Sequence, residues 1–130
     1  MYTIFSIDGV NDLHAKAKFL RHMDTARAMD KMRGNMVLCI GAWEGVLEQS
    51  FMMLTADYKA HVEPYGFTDK QESVLEVPHD QRQPCVIVWN DGTREAIGPM
   101  RQVSPVEALQ HKGWTYVPDR NAYYVAGSSD

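Results

Sequence analysis

Two stretches of this chain leave little room for anything but β-structure. Met36 to Ala42 is a continuous apolar run, the signature of a strand buried on both faces. Val46 to Thr55 alternates, with Val46, Glu48, Ser50 and Met52 interleaved with Leu47, Gln49, Phe51 and Met53, which is the period of a strand with two distinct faces. Trp43-Glu44-Gly45 interrupts the two, and glycine inside a strand pattern marks a bulge, a tight turn or a close backbone approach.

The remaining segments follow the same logic. Met1 to Ile7 alternates and reads as a strand closed by Asp8-Gly9. Asn11 or Asp12 is placed to cap a helix on which Leu13, Ala17, Leu20 and Met23 share a face, and Gly34-Asn35 stops it. Thr55-Ala56-Asp57 opens a short helix carrying Tyr58, Ala60 and Val62, ended by Pro64 and Gly66. Gln71 to Val77 and Pro84 to Trp89 are strands, and Asn90-Asp91-Gly92 turns the chain into a partner, Arg94 to Ile97. Ser104-Pro105-Val106-Glu107 combines a cap, a first-position proline and a glutamate three residues on. Trp114 to Val117 and Ala122 to Val125 are a last pair of short strands.

This order contains a β-α-β-β-α-β core with a C-terminal β-rich extension. It predicts an α+β protein of ferredoxin-like (α/β plait) type, an antiparallel sheet with helices on one face. Residues 1–126 are expected to form one domain and 127–130 a loose tail.

Composition narrows the function classes. The 130 residues carry a formal charge of −4 with acids and bases mixed, which argues against nucleic-acid and anionic-membrane partners. No run approaches the roughly 20 apolar residues of a membrane span, and the start lacks a secretory pattern, so a cytosolic compartment is expected. Cys39 and Cys85 sit inside apolar runs and read as buried, reduced thiols.

Standard catalytic motifs are absent: no phosphate-cradling loop, dinucleotide fingerprint or nucleophile elbow. The five histidines are scattered. His14 and His22 lie eight apart on the first helix without a third ligand, so no metal site is expected. Two segments stand out instead. One is Gly41-Ala42-Trp43-Glu44-Gly45-Val46-Leu47-Glu48-Gln49-Ser50, read either as a bulge or turn with an exposed Glu pair or as part of a site. The other is Gln71-Glu72-Ser73-Val74-Leu75, where Glu72 shares a strand face with Val74 while Ser73, Leu75 and Val77 point the other way. A carboxylate at such an address is either a polar edge residue or a ligand anchor.

At these segments the chain resembles the small bacteriophage enzymes that degrade S-adenosylmethionine (SAM), long called SAM hydrolases and now SAM lyases. The resemblance rests on Gly41 to Ser50, on Asp57-Tyr58-Lys59-Ala60, on Gln71-Glu72-Ser73-Val74-Leu75 and on Val86 to Gly92, and covers roughly residues 30 to 103. It implies a trimer of ferredoxin-like subunits with sites at the subunit interfaces, in the cytoplasm of a host bacterium. The implied reaction splits SAM into 5′-methylthioadenosine and homoserine lactone, depleting the methyl donor of host restriction-modification enzymes. SAM is then the substrate, and no further cofactor is expected. In such a site Glu72 is the first choice of acceptor for the substrate's ammonium or adenine amine, and Glu48 the second. Gln71 and Ser73 flank Glu72, and Trp43, Tyr58, Tyr65 and Phe67 are candidates to hold adenine or shield the site. Two other readings remain open at this point: a non-enzymatic phage protein that inhibits a host protein, and a PII-like small-molecule sensor.

Overall fold

The computed structural model describes residues 1–7, 12–29, 36–62, Pro64 and 73–127. Its strands are β1 (Tyr2–Ser6), β2 (Val37–Trp43), β3 (Val46–Leu54), β4 (Ser73–Val77), β5 (Cys85–Trp89), β6 (Arg94–Gly98), β7 (Met100–Val103), β8 (Gly113–Val117) and β9 (Ala122–Ala126). Helix α1 (Leu13–Ala28) follows β1, α2 (Thr55–His61) continues directly from β3, and α3 (Pro105–Ala108) is a single turn. All strands join one antiparallel sheet of order β6-β5-β4-β1-β3-β2-β8-β9-β7.

The sheet curls into a nearly closed barrel, which overturns the ferredoxin-like plait. The decisive observation is one apolar cluster fed by every strand. Ile4, Cys39, Met52, Val77, Cys85 and Val117 form its buried heart, and Ile97, Met100 and Tyr124 supply the remaining strands. A plait would leave the last strands as an appendix. Here β8 pairs with β2 (Ile40 opposite Tyr116, Trp43 opposite Gly113) and carries the extension into the sheet. The two outermost strands, β6 and β7, are joined across Gly98-Pro99. There the Gly127 amide donates to the Pro99 carbonyl at 3.1 Å, and a Cβ on Gly98 would fall 2.6 Å from Gly127 Cα. Only glycine permits that approach, and both residues have positive φ (108° and 91°).

The helices lie outside the barrel in two places rather than on one face. Helices α1 and α2 cover β1 and β3 through Phe5, Phe19, Phe51, Met53, Tyr58 and Val62. The single turn α3 covers β7 and β9 through Val103, Ala108 and Val125. Phe5 stacks on Phe51 at 5.5 Å between ring centroids and meets Phe19 edge-on at 6.2 Å. This aromatic nest decides how α1 rolls. Of the stripe Leu13-Ala17-Leu20-Met23 only Met23 is buried: Leu13 is 78% exposed, and Phe19 and Ala26 face inward beside Met23. Outside the barrel, Leu38 and Ile40 are also uncovered (47% and 37% exposed), so β2 is not buried on both faces.

Local signals fared better. Asp12 Oδ1 accepts from the amides of His14 and Ala15 and caps α1. Ser104 Oγ accepts from the Glu107 amide at 3.1 Å and caps α3. Glu44 and Gly45 make a tight turn with both φ positive (49° and 85°), and Asp91 Oδ1 accepts from the Thr93 amide inside the β5–β6 turn. Gly34-Asn35, Gly66 and residues 128–130 fall outside the described residues.

Candidate active site

A pocket of about 200 Å³ lies outside the barrel, between α2 and the outward face of β4, β5 and β6. Strand alternation builds it. Thr3 of β1 is paired with Glu76 of β4, Val74 with Val88, and Val88 with Arg94, so these side chains share one face. Thr55, at the start of α2, closes the base: its hydroxyl meets that of Thr3 at 2.9 Å, and both residues are buried. Tyr58, one turn further on, walls the pocket with its ring 5.1 Å from Phe5. Lys59, Trp89 and Asn90 complete the rim.

Glu76 is the acid of this pocket. It is 9% exposed, and its Oε1 accepts from Arg94 Nη2 at 2.5 Å. A buried carboxylate needs such a partner, and a guanidinium is the side chain best fitted to supply it. The described lining therefore carries two cations, Lys59 and Arg94, against one acid.

A wider hollow of about 800 Å³ lies beside α3, with Gln102, Ser104, Glu107 and Tyr123 in its lining. It is open, its acid Glu107 is half-buried and engaged by Arg101 at 3.3 Å, and its described lining holds no fully buried charge. The smaller pocket is the better-built site.

Of the residues singled out in the sequence, Tyr58 and Ser73 meet in this pocket. Trp43 and Glu48 do not line it. They sit at the β2–β3 turn, where the Trp43 ring lies over Gly113, so that a Cβ there would be 2.8 Å from Trp43 Cε3. Trp43 is 56% exposed and Glu48 is exposed. Gln71, Glu72, Tyr65 and Phe67 lie outside the described residues. Glu76 and Arg94 were not chosen from the sequence. The signal for Glu76 was there, since period two puts it on the face of Val74.

The cysteines take no part. Both are buried among barrel residues, and burial pushes each thiol up to about 11, which keeps it protonated.

No curated protein matches the chain. A sequence model of the S-Adenosylmethionine lyase family matches residues 10–126. The chain belongs to that family. SAM lyase chemistry, with SAM as substrate, is what membership implies. For a SAM lyase, the pocket charges have a clear reading. SAM carries a sulfonium, an ammonium and a carboxylate. Lys59 and Arg94 suit the carboxylate, and Glu76 suits the ammonium. About 200 Å³ is below the roughly 300 Å³ of a typical small-molecule site.

Proposed function

We propose that this protein cleaves SAM to 5′-methylthioadenosine and L-homoserine lactone in the pocket beneath α2. Family membership over nearly the whole chain carries the reading, and the buried Glu76–Arg94 pair beside Tyr58 supports the choice of pocket. In the proposed reaction the substrate's carboxylate oxygen attacks its own γ-carbon. The carbon–sulfur bond breaks, and its electron pair stays on sulfur as a neutral thioether. Opposite charges cancel along this path, so a site poorer in water than bulk solvent accelerates it, and folding the substrate brings the reacting atoms together. The enzyme then needs no nucleophile of its own. Its residues position: Glu76 takes the ammonium, Lys59 and Arg94 steer the carboxylate, and Tyr58 and Trp89 offer ring faces to the nucleoside. Glu72, the first-choice acceptor from the sequence, with Gln71 and Ser73 beside it, is proposed as a further acid of the site, which a net cationic substrate requires in a lining otherwise richer in cations.

We further propose a homotrimer acting in the host cytoplasm, where loss of SAM disarms restriction-modification. The exposed apolar residues Leu38, Ile40, Val46 and Leu47 support self-association. Among the described residues, no helix is long and apolar enough to cross a membrane.

The test is incubation of the purified protein with SAM, followed by chromatography. Methylthioadenosine together with homoserine lactone is the expected product pair. Homoserine as the first product would mean that water attacks instead. No turnover at high enzyme concentration would sink the lyase reading, and tight SAM binding without turnover would indicate a sensor.

A further inference from the structure

Helices α1 and α2 touch at two imidazoles. His22 Nε2 and His61 Nδ1 are 3.2 Å apart, with ring centroids at 5.3 Å and planes tilted by 42°. We propose that His22 and His61 together bind a divalent transition-metal ion that staples α1 to α2.

Three observations carry this. The first is the bite. Two imidazole nitrogens at the usual 2.0–2.1 Å from a tetrahedral ion stand about 3.3 Å apart, close to the distance found here. In the hydrogen bond the N–H and the lone pair face each other, and a shared cation would sit beside that line, where both rings can reach it after a small swing. Binding requires a tautomer change in the donating ring, so that both facing nitrogens present lone pairs. The second is rigidity. His22 lies between Phe19 and Met23, which are fully buried, and His61 lies between buried Tyr58 and Val62. Both backbones are thus anchored in the same aromatic nest, and the rings meet at its margin. The third is the local field. Asp57, four residues before His61 and so on the same helical face, holds a buried oxygen, Oδ2, without a hydrogen-bond partner. Lys18, four before His22, is exposed, so its opposing charge is solvated.

Among the described residues the donor set is these two imidazoles, with no third His, Cys, Asp or Glu joining them. That donor set favours ions that seek imidazole, such as zinc, nickel or copper(II), over magnesium or calcium. Because α2 also carries Tyr58 and Lys59, the staple would fix one wall of the pocket described above.

The whole purified chain is titrated with zinc by calorimetry and with cobalt(II) by visible absorption. One ion per chain is expected, with the thermal midpoint raised by roughly 5 °C at saturating zinc. His22→Gln and His61→Gln should each weaken binding by more than about 10-fold, the loss that even an outer-shell substitution commonly brings. His14→Gln, an exposed control, should leave it unchanged. No saturable binding, or binding that survives either of the first two substitutions, overturns the site. Nitrogen-detected NMR of the wild-type imidazoles needs no variant: zinc must shift His22 Nε2 and His61 Nδ1, and unmoved resonances overturn the site as well.

Discussion

Arg94 reaches Glu76 across an intervening strand. Nη2 of Arg94, on β6, lies 2.5 Å from Oε1 of Glu76, on β4, over the outward side chains of β5. The carboxylate side chain is 11% exposed and the guanidinium side chain 54%. The pair fixes three neighbouring strands side by side and sets the charge of the pocket.

Arg94→Met leaves the carboxylate buried without its partner. It should destabilise the fold by about 1–3 kcal/mol in denaturant melts, the desolvation penalty of an orphaned polar group. Glu76→Gln keeps a hydrogen-bond acceptor and should fold nearly as well as the parent. Its effect belongs to catalysis: SAM turnover should fall at least ~10-fold with the loss of one charged contact. A Glu76→Gln enzyme with unchanged kcat/KM would remove Glu76 from the site.

The buried Thr3–Thr55 contact predicts a non-additive pair. Thr3→Val or Thr55→Val alone strands one hydroxyl and should cost about 1–2 kcal/mol. The double variant should be more stable than the sum of the two losses, because both polar groups then leave together. A double-mutant cycle of urea midpoints gives the coupling, and strict additivity would mean that the hydroxyls do not interact.

The thiols predict an alkaline limit to stability. In the unfolded chain Cys39 and Cys85 ionise near 9, whereas in the fold burial raises both to about 11. The folded state therefore keeps protons that the unfolded state has lost. Stability from this source is complete below pH 9 and declines between pH 9 and 11. Unfolding free energies measured from pH 8 to 11 should fall, and less steeply in a Cys39→Ala/Cys85→Ala variant. At pH 8, thiol reagents should label both residues only as fast as the chain opens.

Gly127→Ala should break the barrel seam. A Cβ there would collide with the Ile97 carbonyl, and φ is 91°. A loss of at least ~2 kcal/mol is expected from strain and displaced backbone together. An unchanged melting temperature would mean that β6 and β9 do not approach as described.

Much of the local structure was legible because its signals are local. Asp12, Ser104 and Asn90-Asp91-Gly92 act on amides within a few residues, and their chemistry is written beside them. The fold was not legible in the same way. Alternation in Val46–Thr55 says that two faces differ, but nothing near β2 announces that Ile40 will pair with Tyr116. Without that pairing, the last strands looked like an appendix and the sheet looked open. The roll of α1 was ambiguous for a related reason. Leu13 and Leu20 offered one stripe and Phe19 another, and only Phe5 and Phe51 on distant strands decide between them. In the site, Tyr58 and Ser73 were chosen through motif resemblance, and both line one pocket. Arg94 was passed over because it looked like the return of a hairpin. Its role depends on Glu76, two strands away.

The long reach from β2 to β8 also bears on how the protein is made. A nascent chain leaving the ribosome presents Ile40–Trp43 about seventy residues before Gly113–Val117 exists to pair with it. Until then β2 is a bare edge with Leu38 and Ile40 on its uncovered side, the kind of surface that recruits another copy in the wrong register. Crowded polysomes are where such errors would begin. Slowing synthesis through residues 90–112 should therefore lower the soluble yield more than slowing it after residue 117.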